Sequence, residues 1–129
     1  MNRGCALCVL VLLFAGSATA VDLLEVEHPD VGGMEDAVRQ PLSASRSALE
    51  TLLSAGGEGE GLGRAFGDLG ELYLVYDLTE AAAACLENAS RLLPSEARWP
   101  YLLGSLFEHE REIERARLAY ERALRLDPD

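Results

Sequence analysis

Phe66-Gly67-Asp68-Leu69-Gly70-Glu71-Leu72-Tyr73 is answered 34 residues later by Pro100-Tyr101-Leu102-Leu103-Gly104-Ser105-Leu106-Phe107. The correspondence runs on. Ala82, Leu86, Ala89 and Pro94 return at the same offset as Ala116, Tyr120, Ala123 and Pro128. Small, bulky and helix-ending residues each recur in their own places. A repeat of this period marks paired helices stacked in series, because one pair cannot bury its own apolar surface.

Within each copy the spacing is helical. Phe66, Leu69, Gly70 and Tyr73 fall at i, i+3, i+4 and i+7, which is one face of a helix. The spacing predicts helices over Gly63 to Tyr76, Glu80 to Leu92, Glu96 to His109 and Ile113 to Leu126. Asp77 or Thr79 is the candidate N-cap of the second. Pro94 stops that helix, and Pro128 closes the second copy. Gly70 and Gly104 remove a side chain where two helices of a pair touch, and Ala82 and Ala116 do so opposite. Tyr73, Leu86, Phe107 and Tyr120 fill the space beside them. Ala89 and Ala123 let the next pair lie close.

The front of the chain reads differently. Met1-Asn2-Arg3 is a short basic start, and Cys5 to Ala15 is an apolar run of eleven residues. That run is too short to span a bilayer. Ala18-Thr19-Ala20 is a small-residue cleavage pattern, so residues 1–20 read as an export signal cut near Ala20. An uncleaved anchor is the rival reading. Cys5-x-x-Cys8 lies inside the signal, which leaves Cys85 as the one cysteine of the mature chain and allows no internal disulfide. Cys85 reads as a small apolar filler. Removing Arg3 leaves ten basic and 22 acidic residues, a balance of −12 with no lysine. Such a surface repels nucleic acid and anionic lipid.

Residues 21–33 hold Glu25, Glu27, His28 and Asp30 without periodicity and read as a disordered or extended leader. The alternating carboxylates around His28 resemble metal ligands, but nothing in such a segment preorganises them. Residues 34–54 turn helical, with Val38, Leu42, Ala48, Leu49, Leu52 and Leu53 as an uneven stripe and a kink expected at Pro41. Residues 55–62 contain four glycines and read as a flexible joint.

The marked positions over 63–129 resemble the tetratricopeptide repeat, and the whole chain is similar to the front of exported bacterial proteins carrying such repeats. Three departures stand out. Phe66 replaces the early tryptophan in one copy. Trp99 is displaced by one residue in the other, where Pro100 takes its place. Neither turn between paired helices carries the usual glycine. The resemblance implies an all-α fold, a right-handed α-solenoid of antiparallel helix pairs, with repeats at 63–96 and 97–129 behind one preceding helix. It implies a groove lined by the first helix of each pair that takes a peptide or partner protein. The matching residues are Arg64, Asp68, Glu71, Val75, Arg98, Tyr101, Ser105, Glu108 and His109. Arg64 and Arg98 occupy equivalent places and are expected to meet carboxylates of a partner. Gly67, Glu71, Tyr101 and Ser105 stand where the carboxylate-clamping members have Lys and Asn, which excludes that specificity.

Little else points to chemistry. Glu108-His109-Glu110-Arg111-Glu112 lacks the second histidine of a zinc-protease helix, since residue 113 is isoleucine. Asn88-Ala89-Ser90 is a formal glycosylation sequon, but Ala89 is assigned to packing. Scattered arginines without interleaved aromatics argue against nucleic acid. The expectation is an exported, periplasmic or secreted module that binds protein or peptide. It has no catalytic, cofactor or metal residues and no stable membrane insertion after signal cleavage. Two repeats are fewer than the usual three, so the last helix should expose Leu118, Leu124 and Leu126. Self-association through that uncapped helix, or membership of a longer array, is expected. The alternative is a docking segment of a longer exported enzyme or electron-transfer protein.

Overall fold

A computed structural model describes residues 20–129, which form five helices and, among these residues, no strand. The helices are α1 (Asp36–Ser54), α2 (Gly59–Val75), α3 (Thr79–Leu92), α4 (Arg98–His109) and α5 (Ile113–Leu126). Each packs on its neighbour in the chain. The expected signal lies outside the described residues except for Ala20. No helix among the described residues is long and apolar enough to cross a membrane.

Two boundaries differ from the periodicity. The joint is confined to residues 55–58, because α2 starts one turn early at Gly59. Leu62 is the reason: it is 3 % exposed, and burying a leucine is worth roughly 2 kcal/mol, enough to offset the helix penalty of nearby glycines. The first helix continues through Pro41, its sixth residue. So close to the N-terminus the missing amide forfeits one bond, to the Ala37 carbonyl, and the buried Leu42 and Leu49 hold the rest of the helix in place.

The paired helices run in opposite directions. Gly70 lies against Leu86 and Cys85 near the turn, and Gly63 against Leu92 and Leu93 at the far ends. A β-carbon on Gly70 would stand 2.9 Å from Leu86 Cγ, and one on Gly104 would stand 2.6 Å from the Tyr120 ring. Ala82 and Ala116 are buried opposite. The four small residues therefore sit at helix contacts. Trp99 is buried rather than displaced from use: its indole crosses Gly67 and joins α4 to α2.

Three of the four turns, all but the one between α3 and α4, share one bonding pattern. Leu78 N–H donates to the Tyr73 carbonyl and Asp77 N–H to that of Leu74. Glu112 and Arg111 repeat this with Phe107 and Glu108, and Gly57 and Gly56 with Leu52 and Leu53. These are Schellman ends, whose penultimate residue must be left-handed. Gly56, Asp77 and Arg111 have φ of 69, 58 and 61°. Neither Asp77 nor Thr79 caps α3 with its side chain; the N-cap residue is Leu78.

Residues 20–35 have no regular structure, yet they are tied to α1, α2 and α3. Arg91 donates to the Asp22 carbonyl at 2.7 Å. Asn88, fully buried in α3, accepts from Leu24 N–H at 2.7 Å and donates back to the Leu24 carbonyl at 2.9 Å. Arg46 of α1 donates to the Pro29 carbonyl and to Tyr73 Oη, both at 2.7 Å. His28 Nδ1 lies 2.7 Å from the same hydroxyl. Tyr73 Oη accepts from Arg46, which leaves its own proton able to go to a neutral His28 ring. Burial and the Arg46 charge lower the His28 pKa, in keeping with that form, while Glu50 opposes them.

Candidate partner-binding groove

The nine residues assigned to the groove occupy the outward stripes of α2 and α4. Arg64, Asp68, Glu71 and Val75 fall at i, i+4, i+7 and i+11 on α2; all are exposed except the half-buried Glu71. Arg98, Tyr101, Ser105, Glu108 and His109 are exposed along α4. The stripes arise because Phe66, Leu69, Gly70 and Tyr73 take the inner face of α2, as Leu103, Gly104 and Phe107 do on α4.

Charge links the two stripes. Arg98 reaches from α4 to Glu71 on α2 with an N–O distance of 2.5 Å. Arg64 pairs with Glu60 at 2.8 Å and stands 4.0 Å from Glu96, which precedes α4. The Glu60 carboxylate also raises the Arg64 pKa. Both arginines thus already hold carboxylates of their own chain. A partner's carboxylate therefore has to compete for them or add to an existing pair. Exposed pairs of this kind contribute about 0–1 kcal/mol, so competition is inexpensive.

The far end of α4 is organised by Tyr120 of α5. Its hydroxyl donates to Glu108 at 2.8 Å, and its ring lies 5.8 Å from that of Tyr101. Burial of the phenol, then the Glu108 contact, raise the Tyr120 pKa, so it stays a donor at neutral pH. His109 stands 3.5 Å from Glu110 at the helix end. Ser105 hydrogen-bonds the Tyr120 side chain, and the Asp68 charge adds to those of Glu60 and Glu96 in raising the Arg64 pKa. Val75 is 73 % exposed, a bare apolar side chain on the α2 stripe.

A cleft of about 480 Å³ opens beside Arg98 and Tyr101, and Ala97, Tyr120, Ala123, Leu124 and Asp127 complete its wall. Helix α5 exposes further apolar side chains, of which Leu124 lines this cleft and Leu118 a separate one beside Phe107 and Arg115. Ile113, Leu118, Leu124 and Leu126 are 63, 56, 61 and 37 % exposed. Tyr101 beside Arg98 pairs two of the residue types in which interface hot spots are enriched.

Other sites marked in the sequence resolve into structure. His28 spends Nδ1 on Tyr73, and Asp30 accepts from the Gly32 amide at 2.8 Å. The sequon asparagine, Asn88, is buried with both amide atoms engaged, which leaves no room for a glycan. Cys85 is buried beside Gly70, and burial pushes its thiol pKa up to about 12. Arg46 has no role in the sequence reading, and Asn88 appears there only as a formal sequon. Each carried a signal, a strongly polar residue on an otherwise apolar helical stripe.

No family model, curated protein or solved structure matches this chain.

Proposed function

We propose that this chain is an exported protein-binding module of two tetratricopeptide-like units behind a preceding helix, stacked as a right-handed α-solenoid. Several features 34 residues apart support the stacking. Gly70 and Gly104, Ala82 and Ala116, and Ala89 and Ala123 are all buried. Asp77 and Arg111 are both left-handed at equivalent turns. The α2 and α4 stripes then face one groove.

One observation carries the binding role. Tyr101 stays 58 % exposed beside the cleft, although an apolar side chain of its size gains from burial. A partner helix or extended segment covering Tyr101, Leu124 and Val75 removes that surface from water. Capture from the exported fraction tests this. The wild-type chain retains a defined protein that the Arg98→Ala/Tyr101→Ala variant loses at unchanged thermal stability. An identical captured set with both chains contradicts the groove.

A further inference from the structure

We infer that the surface formed by α1, α2 and α3 is an extended-peptide site, filled in cis by residues 22–30 of this chain and in trans by residues 22–30 of a second copy. It is distinct from the α2–α4 groove and does not depend on the function proposed for that groove.

The site reads main chain. Four of the five hydrogen bonds that tie residues 22–30 to the helices end on backbone atoms: the Asp22 carbonyl, the Leu24 amide and carbonyl, and the Pro29 carbonyl. Asn88 does most of this. A fully buried amide that both accepts from and donates to one residue copies the pairing of a β-strand neighbour. In this fold that side chain holds an extended segment. Without that segment two buried amide atoms lose their partners, at the cost that attaches to unpaired polar groups. Leu23 and Val26 add half-buried apolar contacts, while Glu25 and Glu27 face water.

Recognition through backbone atoms does not depend on which molecule supplies the segment. The occupant of known fit is the segment itself, so a second copy satisfies every contact listed above. The joint permits the exchange. Gly32 and Gly33 separate the segment from α1, and no atom lies within 4 Å of where a Gly33 side chain would begin. Rotation there breaks the Met34 N–H bond to the Val31 carbonyl and carries the buried Val31 out with the segment, so that the ten residues 22–31 reach up to roughly 33 Å when extended and Val31 must refill the same place in the other copy. Each copy then places its Leu24 on the other's Asn88. Exchanging an identical element in this way creates a dimer at low energetic cost. Opposing this is the net charge of −11 per chain, which screening by salt relieves.

A fluorescent peptide of residues 20–31 tests the site on the intact chain. Leu24→Pro removes the amide that Asn88 accepts and leaves the rest of the segment in place. The peptide is expected to bind Leu24→Pro at least tenfold more tightly than wild type, because the cis segment competes less. Asn88→Leu abolishes binding, and a scrambled peptide does not bind. In sedimentation the wild type shows a dimer that grows with protein and salt concentration and dissolves with excess peptide. A folded Leu24→Pro chain that ignores the peptide, or equal binding of the scrambled one, overturns the site. A wild type that stays monomeric at millimolar concentration and high salt overturns the exchange. Should Leu24→Pro fail to fold, hydrogen exchange on the wild type decides. The Leu24 amide is expected to exchange at least tenfold faster than the buried amides of α2; equal rates overturn the proposal.

Discussion

The Trp99 indole lies against the α-carbon of Gly67, so close that a methyl group there would stand 2.3 Å from ring atom Cη2. Two opposing effects meet at this point. Alanine is favoured over glycine inside a helix by about 1 kcal/mol. Overpacking a filled site costs about 1–3 kcal/mol. Trp99 is 1 % exposed and its ring is rigid, so the clash prevails. Gly67→Ala is expected to destabilise the chain by up to about 2 kcal/mol in urea unfolding, net of those two effects. Trp99→Ala should cost about 3–5 kcal/mol. In the double variant the Gly67→Ala penalty should vanish, since the ring it strikes is gone. Additive costs would mean that the two residues do not touch.

The left-handed turns yield a gain. A non-glycine residue held at positive φ costs of order 1 kcal/mol, although Asp tolerates that region better than Arg. Arg111→Gly should raise stability by about 0.5–1 kcal/mol and Asp77→Gly by less. Urea midpoints check the order. A loss at Arg111 would show that its side chain does more than fill the turn.

The Cys85 thiol should resist modification. Burial raises its pKa to about 12 against an ordinary 9.0, so little thiolate forms at pH 8. Labelling with an aromatic disulfide is expected only as fast as the chain unfolds, and urea should accelerate it. The sign for stability follows from linkage. The contribution is complete below the unfolded pKa and is lost as pH rises from 9 toward 12. Rapid labelling of the native chain would contradict the packing of α2 on α3.

His28 makes stability depend on mild acid. Its native pKa lies below the ordinary value, through burial first and the Arg46 charge second. The unfolded chain therefore binds the proton first. Stability from this group is whole above about pH 6.5 and falls as pH drops through that value toward the lower native pKa. Protonation also turns the ring nitrogen that accepts from Tyr73 into a donor. Between pH 7.5 and 5 the wild type should lose more stability than His28→Gln, measured as urea midpoints. Parallel curves would mean that burial and the Arg46 charge do not act on His28 in the folded chain.

Much of the fold was legible because burial and repetition agree. Gly70, Ala82, Gly104 and Ala116 were marked as contact residues from their offset alone, and all four are buried. Helix ends were less legible. The start of α2 was placed at Gly63 because glycines discourage helix, yet the buried Leu62 extends it to Gly59. The N-cap at Asp77 or Thr79 was misassigned because a turn closed by main-chain bonds needs no side-chain cap. The groove residues were assigned to outward stripes, where they lie, but pairing across helices has no local signature. Nothing adjacent to Arg98 in the chain announces Glu71. The same holds for Leu24 and Asn88, 64 residues apart.

The central claim is that the stripe around Tyr101 binds another protein. Photocrosslinking reads this directly. A benzophenone amino acid placed at residue 101, in cells exporting the chain, should join one discrete protein. The same group at Ser47, exposed on α1, should not. Equal crosslinking from both places, or none from residue 101, would contradict the account.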